Sequence, residues 1–500
     1  MIVAVEGCAH GELDQIYKSV EILANQKGVK VDLLICCGDF QAVRNENDLQ
    51  CMAVPDKFRH MCTFYKYYSG EKTAPILTIF IGGNHEASNY LQELAYGGWV
   101  APNIYYLGYA GVVQVGNLRI AGISGIFKAH DFLRGHFEKS PYTNGTMRSA
   151  YHVRNLEVFR LKQLKGKIDI FLSHDWPRGI YNYADTTELL HWKPFFRNEI
   201  ANNTLGSQAA ETLLHELKPN YWFSAHLHCR FAATVNHNDE EKTEFLALDK
   251  CLPRRKYLEL IDIPHETPKS IELSYDPEWL AILRLTNHLL SVQMTSQYLP
   301  SGGPGCRERW DFTPSEKEIA DVSECFQQDL RIPVNFVKTV EPFRFGNQVN
   351  RRARQPDAQL NPQTTEFCRK LGIDDPMRML IGEPVTLPPV ENPDEISLDD
   401  IEETNDNVDD AAPVKVEENE LFVIDTNPQK RTKMTLPPPV TETITSEDST
   451  VKDSSAVEQT LGNIPETSGA EGVDANQDVP AQKKFKRRNQ ALYTTEESDY

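Results

Sequence analysis

Five short fragments of the sequence combine glycine or small residues with side chains that bind metal ions. The fragments are Gly7-Cys-Ala-His-Gly11, Gly38-Asp-Phe-Gln41, Gly82-Gly-Asn-His-Glu86, Ser173-His-Asp175 and Ala225-His-Leu-His228. Imidazole, carboxylate, amide and thiol donors form a mixed set that suits Zn²⁺, Mn²⁺ or Fe²⁺ rather than Ca²⁺. Neighbouring glycines allow sharp turns and a close approach of phosphate. The fragments therefore predict a site for one or two such metal ions.

Each fragment directly follows a short apolar segment with the length and composition of a buried strand. These segments are Ile2–Val5, Leu33–Cys37, Ile76–Ile81, Ile168–Leu172 and Tyr221–Ser224, and similar segments occur at Leu118–Ile123 and Phe245–Leu248. Amphipathic helices are expected at Leu13–Gln26 and Gln208–Leu217, so the pattern favours a layered α/β fold. Ligands in such folds bind beyond the carboxyl ends of strands. We therefore expect the five fragments to converge at one rim of the sheet.

Each fragment also has an ordinary structural explanation when it is taken alone. An isolated histidine such as His174 is more often a hydrogen-bonded polar residue than a ligand, and Gly38-Asp39 is a common turn. His226 and His228 are more suggestive, because alternate residues of a strand share a face. The occurrence of all five fragments at the ends of predicted strands favours a metal site over a chance combination. Two ions about 4 Å apart can bridge a phosphate, supply hydroxide and stabilise the leaving oxygen.

The order of the fragments resembles the calcineurin-like metallophosphoesterases, whose pattern is D-x-H, G-D, G-N-H-[DE], H and G-H-x-H. The resemblance covers about residues 1–250, with Cys8 in place of the first aspartate and Ala225 in place of a glycine. Gly-Cys-x-His-Gly near the N-terminus and Ser173-His-Asp-Trp-Pro177 are similar to the RNA lariat debranching enzymes, a resemblance that extends to about residue 380. It implies a metallophosphoesterase β-sandwich flanked by helices.

The resemblance also implies roles for individual residues. The metal ligands would be Cys8, His10, Asp39, Asn84, His174, His226 and His228. Asp39 would bridge two positions, the first completed by His10 and His228, and His85 would protonate the leaving oxygen. The implied reaction is hydrolysis of the 2′–5′ phosphodiester at the branch point of intron lariat RNA, which gives linear RNA.

Cys8 leaves two interpretations open. As a ligand, its thiolate would favour Zn²⁺ or Fe²⁺ over Mn²⁺. As a small buried hydrophobic residue, it would leave the first metal position weak or empty until substrate arrives. Two other functions are also compatible with the fragments: a phosphoesterase acting on a nucleotide, a phosphoprotein or a DNA end, and a scaffold without metals. An aspartate at position 8 would favour the first of these functions, and a purified protein without metal would favour the second.

Residues 125–154 form an insertion rich in basic and aromatic side chains. The candidate RNA-binding residues are Lys128, Arg134, His136, Phe137, Tyr142, Arg148, Tyr151 and Arg154. Cations neutralise phosphates and aromatic rings stack on unpaired bases. The position of the insertion resembles the lariat-recognition loop of the debranching enzymes. The alternative is a surface loop whose aromatic residues pack inward.

The composition changes twice along the chain, which predicts three regions. Residues 1–265 form the expected catalytic domain, and residues 266–380 a smaller, mainly helical domain that packs on it. Helices are expected there from a capping box opened by Thr313 to about Gln327, and over Thr364–Leu371. Residues 381–500 are poor in aromatic and rich in acidic residues, so we expect a disordered tail.

The net charge of −20 argues at first against a nucleic-acid partner. Residues 381–500 hold 27 acidic and 10 basic side chains, however, so the preceding 380 residues carry only −3. The basic cluster Lys483-Lys-Phe-Lys-Arg-Arg488 is of the nuclear-import type. It predicts a nuclear protein, with shuttling to the cytoplasm as an option, and a tail open to protein partners.

The sequence also argues against a membrane or secreted protein. Its longest apolar stretch lies within Ala74–Ile81, far short of the ~20 residues of a membrane span. The N-terminus lacks the basic region of a signal peptide. The 10 cysteines show no paired CxxC spacing, which indicates free thiols in a reducing compartment.

Overall fold

Two β-sheets form the centre of the computed structural model, which describes residues 1–264, 271–302, 309–345 and 353–382. Within these ranges the 13 strands are β1 (Ile2–Glu6), β2 (Leu33–Cys36), β3 (Leu77–Phe80), β4 (Gly98–Ala101), β5 (Ile104–Tyr106), β6 (Ala110–Val115), β7 (Leu118–Ile123), β8 (Ile170–Ser173), β9 (Tyr221–Ser224), β10 (Phe231–Asn236), β11 (Lys242–Ala247), β12 (Leu258–Asp262) and β13 (Leu273–Tyr275). The first sheet has the order β12-β1-β2-β3-β5-β4, and the second β10-β11-β9-β8-β7-β6-β13.

Helices connect the strands and cover the outer faces of the sheets. The α-helices of the described residues are α1 (Leu13–Lys27), α2 (Glu46–Leu49), α3 (Tyr65–Ser69), α4 (Ser88–Gln92), α5 (Ala129–Phe132), α6 (Asn144–Ser149), α7 (Asn155–Leu161), α8 (Thr187–Trp192), α9 (Arg197–Ala201), α10 (Gln208–Leu217), α11 (Pro277–Leu285), α12 (Glu316–Cys325), α13 (Pro362–Leu371) and α14 (Pro376–Ile381). Short 3₁₀ turns lie at Asp56–Phe58, Ile180–Tyr183, Pro194–Phe196 and Asn287–Leu289.

The two sheets share one hydrophobic core, as the expected β-sandwich requires. Val5 and Ile35 of the first sheet lie in the same buried cluster as Leu172 and Phe223 of the second. Ile16 of α1 packs in the cluster on the outer face of the first sheet. The layered α/β fold flanked by helices is thus confirmed.

The predicted strands are confirmed, but they belong to two sheets rather than one. β1, β2 and β3 are parallel neighbours in the first sheet, and β8 is parallel to β7 and β9 in the second. The fragments after β1, β2 and β3 therefore meet those after β8 and β9 across the sandwich. The expected single rim is corrected to the facing edges of two sheets.

The C-terminal region packs on the rest of the described chain. β13 pairs with β6 and so extends the second sheet. The Gln363 side chain accepts a hydrogen bond from the Trp99 main-chain N–H (2.8 Å) and donates one to its carbonyl (2.9 Å). The capping box of α12 starts at Ser315 rather than Thr313, because Ser315 and Glu318 satisfy each other's main-chain N–H groups.

Two regions for which the sequence makes predictions are described only in part or not at all. The tail, apart from Ile381 and Gly382, and the basic cluster at 483–488 lie outside the described residues. Within the described ranges, no helix is long and apolar enough to cross a membrane. The nine cysteines found there are all free thiols.

Candidate active site

The candidate metal ligands converge where strands of the two sheets end. Donor atoms of Cys8, His10, Asp39 and His228 all lie within 4.8 Å of one another. On the other side of Asp39, His174 Nε2 is 3.3 Å from Asp39 Oδ1 and 3.2 Å from Asn84 Oδ1. The rings of His174 and His226 lie 5.0 Å apart. The structure therefore brings the seven predicted ligands together, with Asp39 between two groups of donors.

Asp39 is buried and surrounded by histidines. Its Oδ1 accepts a hydrogen bond from the His85 main-chain N–H (2.8 Å), and its Oδ2 lies 3.7 Å from both His10 Nε2 and His85 Nδ1. Burial opposes ionisation of this carboxyl, but His174, His85 and His10 outweigh it and hold its pKa well below the usual range. Asp39 is therefore a permanent negative charge at the centre of the site.

The imidazoles of His10, His226 and His228 are held in the neutral form that binds metal. Burial lowers the pKa of His10 and of His226 to about 3, and it lowers that of His228 well below its usual value. His228 Nε2 is buried and has no hydrogen-bond partner among the residues that the structure describes. An unsatisfied nitrogen beside an ionised carboxylate fits a bound cation. The donor chemistry of the site therefore suits a metal ion.

Main-chain contacts orient His174 toward the centre. Its Nδ1 donates a hydrogen bond to the carbonyl of Cys37 (2.8 Å), which leaves Nε2 facing Asp39 and Asn84. Such a contact on the far nitrogen is the usual way in which a metal-binding histidine is fixed. Asp39 raises the pKa of His174 against the effect of burial. A metal ion at Nε2 would take the place of that proton.

The ligand turns have a strained main chain. His10, Asp39, His226 and His228 have φ angles of 46°, 46°, 63° and 50°, in the left-handed region. Each costs about 1–3 kcal/mol, and such residues cluster at functional sites. The main chain at Gly83 passes so close to Asp39 that a Cβ atom at this position would lie 2.3 Å from Asp39 Oδ1.

Glu86 is a functional residue to which sequence reasoning gave no role. Its carboxylate accepts hydrogen bonds from the main-chain N–H groups of Phe40 (2.8 Å), Gln41 (2.8 Å) and Gly83 (2.9 Å). It thereby ties the turn after β2 to the turn after β3. Burial, assisted by the charge of Asp39, raises its pKa to about 7. The signal for this role in the sequence was an acidic residue inside a glycine-rich turn, because a buried carboxylate must accept hydrogen bonds from nearby N–H groups.

Cys8 belongs geometrically to the donor group. Its buried thiol accepts a hydrogen bond from the His226 main-chain N–H (3.2 Å). Burial, and then the nearby charges of Asp39 and Glu6, raise the pKa of this thiol well above its usual value. A coordinated cation reverses such a shift, because metal-bound thiols lose their proton.

Two family models match this chain. The calcineurin-like phosphoesterase model matches residues 1–230, and the model of the lariat debranching enzyme C-terminal domain matches residues 240–376. The lariat debranching enzyme of Drosophila melanogaster is 48% identical over 556 residues, covering 99% of this chain and 100% of that protein. The chain belongs to the lariat debranching enzyme family.

Other members of this family come from distant organisms. The lariat debranching enzyme of Homo sapiens is 56% identical over 384 residues, covering 75% of this chain and 70% of that protein. That of Arabidopsis thaliana is 47% identical over 417 residues, covering 81% of this chain and 96% of that protein. The debranching enzyme resemblance carried by the sequence fragments is thus confirmed.

Residues 125–154, called the recognition loop below after the role expected of them, are anchored to this site. Gly125 N–H donates a hydrogen bond to the carbonyl of Gly82 (2.8 Å), next to the ligand turn after β3. Asp131 lies inside the loop and binds His152 Nδ1 (2.6 Å), Arg134 Nη1 (2.8 Å) and His130 Nε2 (3.0 Å). A buried carboxylate with three cationic or imidazole partners orders the loop from within.

The candidate RNA-binding residues divide into an accessible and a buried group. Those exposed or half-buried in the loop are Lys128, Arg134, Phe137, Arg148 and Tyr151. The other three candidates, His136, Tyr142 and Arg154, are buried. His136 stacks on Tyr109 with ring centroids 3.8 Å apart, and the Tyr142 hydroxyl donates a hydrogen bond to the Gln92 side chain.

Arg154 shows why a basic residue in this loop is not necessarily a phosphate contact. Its guanidinium is 1% exposed and donates to the Glu138 carboxylate (2.6 Å). It also donates to the carbonyls of Gly135, Ser149 and His152. These partners occupy the guanidinium of Arg154. We therefore assign Arg154, like the buried His136 and Tyr142, to the packing of the loop.

Proposed function

We propose that this protein hydrolyses the 2′–5′ phosphodiester at the branch point of excised intron lariat RNA and releases linear RNA for turnover. The observation that carries the proposal is the donor cluster around Asp39, in a chain of the lariat debranching enzyme family. A phosphodiester carries a negative charge, and a metal centre is the usual means of stabilising the further charge that develops during its hydrolysis.

We further propose that the centre takes Mn²⁺, Fe²⁺ or Zn²⁺. The first ion would be held by Cys8, His10, Asp39 and His228, whose donor atoms are mutually close, and a second by Asp39 with Asn84, His174 and His226. Bound metal polarises the phosphoryl oxygens and lowers the pKa of water. A thiol among neutral imidazoles favours the softer Zn²⁺ or Fe²⁺.

His85 is the proposed general acid. Its main-chain N–H binds Asp39 Oδ1, while its ring, 17% exposed, is open to a substrate. Asp39 Oδ2 lies 3.7 Å from His85 Nδ1. A proton held there is placed to move to the leaving oxygen as the phosphodiester bond breaks.

The accessible residues of the recognition loop are the proposed RNA contacts. Lys128, Arg134 and Arg148 would neutralise phosphates, and Phe137 and Tyr151 would stack on bases. This arrangement supports selection of branched RNA, because the contacts lie beside the metal centre rather than within it.

We place the protein in the nucleus, with passage to the cytoplasm possible through the same tail. The support is the basic cluster at 483–488. The acidic tail would also bind protein partners. Replacing the five basic residues of the cluster by neutral ones should move the full-length protein to the cytoplasm, as seen by fluorescence microscopy, and unchanged nuclear localisation would contradict this assignment.

The function is tested with branched RNA and a matched linear 3′–5′ RNA, each supplied with Mn²⁺, Fe²⁺ or Zn²⁺. We expect rapid cleavage at the branch point and little cleavage of the linear control. Comparable rates on both would indicate a general phosphoesterase instead. A purified protein that neither binds these ions nor cleaves either RNA would indicate a scaffold.

A further inference from the structure

A second group of metal-binding side chains among the described residues lies in the recognition loop. His130, Asp131 and His152 each offer one donor atom, and these three atoms lie within 4.8 Å of one another. Asp131 Oδ2 is 2.6 Å from His152 Nδ1 and 3.0 Å from His130 Nε2. Two imidazoles and one carboxylate are a ligand set that zinc sites use. We name these three residues the loop triad.

The fold holds two members of the loop triad in place. Asp131 is 1% exposed and His152 is 7% exposed. The main-chain N–H of Val153 donates a hydrogen bond to the carbonyl of Ile126 (3.0 Å), which fixes the main chain beside His152 against the start of the loop. The side chain of His130, in α5, is 68% exposed. The triad therefore combines two buried donors with a third on the solvent side, from which a metal ion can enter.

The spacing of the three donors suits a zinc ion. Zinc binds imidazole nitrogen and carboxylate oxygen at about 2.0–2.2 Å in a tetrahedron, so neighbouring donors stand about 3.3 Å apart. The distances of 2.6 Å and 3.0 Å from Asp131 Oδ2 differ from this value by less than about 1 Å. The rings of His130 and His152 meet edge to face, with centroids 5.7 Å apart. Three protein ligands leave the fourth position of the ion to water.

The charges around the loop triad are compatible with an added cation. Asp131 Oδ1 accepts a hydrogen bond from Arg134 Nη1 (2.8 Å), whereas Oδ2 faces the two imidazoles. Arg154, a buried cation of the same loop, is neutralised by Glu138 (2.6 Å). A metal ion at Oδ2 would take the place of the protons that the imidazoles donate, because histidine releases a proton when it binds a metal through that nitrogen.

We propose that the loop triad binds a zinc ion, separate from the ions of the candidate active site, and that this ion ties the start of the recognition loop to its end. The ion would link Asp131 to His152, which is 21 positions further along the chain. Such a link restricts the unbound loop, as a disulfide does. Its positive charge would also lie next to Arg134, a proposed phosphate contact. The effect on RNA rests on the proposed function, whereas zinc binding does not.

Metal content tests the site without RNA. The full chain is equilibrated with Zn²⁺, separated from unbound metal by gel filtration and analysed by mass spectrometry. His130→Ala/His152→Ala should hold about one ion per chain fewer than the wild type. The matched control is His215→Ala/His237→Ala, which removes another pair of neighbouring histidines, with ring centroids 5.9 Å apart, and should leave the metal content unchanged. An equal loss in this control would show adventitious zinc binding and would refute the site.

The single variant His130→Ala changes only the exposed member of the triad, so the fold should survive while zinc binding at the triad weakens. Zn²⁺ should slow protease cleavage within residues 125–154 of the wild type and of His10→Ala, but not of His130→Ala. Zinc content and protection equal to the wild type in His130→Ala would refute the site. On branched RNA, His130→Ala should raise KM and leave kcat unchanged, and an unchanged KM would refute the link to RNA. Wild-type protein that binds this zinc ion but cleaves no branched RNA would refute the proposed function alone.

Discussion

Among individual residues, Cys8 is the one whose ligation would decide between the softer and the harder of the proposed metals. Its sulfur lies within 4.8 Å of donor atoms of His10, Asp39 and His228, which is compatible with direct ligation. We expect Co²⁺-loaded protein to show a thiolate-to-metal absorption band in the near ultraviolet, and Cys8→Ser to lose that band. Cys368→Ser, which changes another buried thiol, is the control. A band that survives Cys8→Ser would mean that Cys8 is only a packing residue.

His85 is the residue whose loss should separate chemistry from metal binding. General acids contribute about 10²–10⁴-fold to rate, so His85→Ala should reduce kcat on branched RNA by at least 10²-fold. Metal content, measured on the purified protein by mass spectrometry, should remain near the wild-type value because the seven proposed ligands are intact. His10→Ala is the comparison variant, in which metal content should fall as well. Loss of metal in His85→Ala would assign this histidine to the ligand set.

Gly83 shows how closely the turns pack around Asp39. A Cβ at this position would lie 2.3 Å from Asp39 Oδ1 and 2.4 Å from its main-chain nitrogen, distances that no real Cβ tolerates. Gly83→Ala should therefore displace Asp39 and lower metal affinity and kcat by more than about tenfold, since one displaced ligand costs well over 1.4 kcal/mol. Gly28→Ala is the control, because nothing lies within 4 Å of its added methyl group and the strain of its φ of 65° falls at the C-terminal end of α1. Wild-type metal affinity in Gly83→Ala would show that the turn can relax.

At the level of elements, the recognition loop is held by a buried ion pair. Arg154→Ala leaves Glu138 buried without its cation and should lower the free energy of unfolding by about 3–5 kcal/mol. Arg148→Ala removes an exposed cation and should change it by less than about 0.5 kcal/mol while raising KM for branched RNA. Urea denaturation and steady-state kinetics measure the two effects. Equal stabilities of the two variants would refute the structural role of Arg154.

The elements also show what the sequence could and could not predict. Buried strands such as β2 and β8 were predictable, because they are continuous apolar runs directly before a glycine or a ligand. The three-residue strands β5 and β13 were missed, since they depend on pairing with distant neighbours. The convergence of the candidate ligands was predictable from residue types and their position at strand ends. The burial of Arg154 was not predictable, because only tertiary packing brings Glu138 next to its guanidinium.

The positive φ angles of the ligand residues are a further feature beyond sequence reasoning. Histidine adopts the left-handed region more often than most residues do, but nothing in the local sequence indicates that His10 and His228 adopt it here. The strain is held by surrounding contacts, such as those of Glu86 across two turns. A family pattern can name such residues, but their conformation comes from the assembled site.

For the whole molecule, the distribution of charge separates the chemistry from the tail. The candidate ligands and the recognition loop lie within residues 1–382, which carry −3 of the total charge of −20. RNA thus meets local basic surfaces on a nearly neutral body. The tail carries the remaining net charge of −17, and at physiological salt the electrostatic effect of this charge is screened over about 8 Å.

Deletion of residues 383–500 tests this separation. Because the deleted residues supply no proposed ligand or RNA contact, kcat and KM on branched RNA should stay within about twofold of full-length values at physiological salt. At low salt KM should fall, since an acidic segment repels RNA over a longer distance. A full-length chain with its basic cluster neutralised controls for loss of those five cations alone. A large fall in kcat on deletion would show that the tail takes part in catalysis, and the two-part view of this molecule would be wrong.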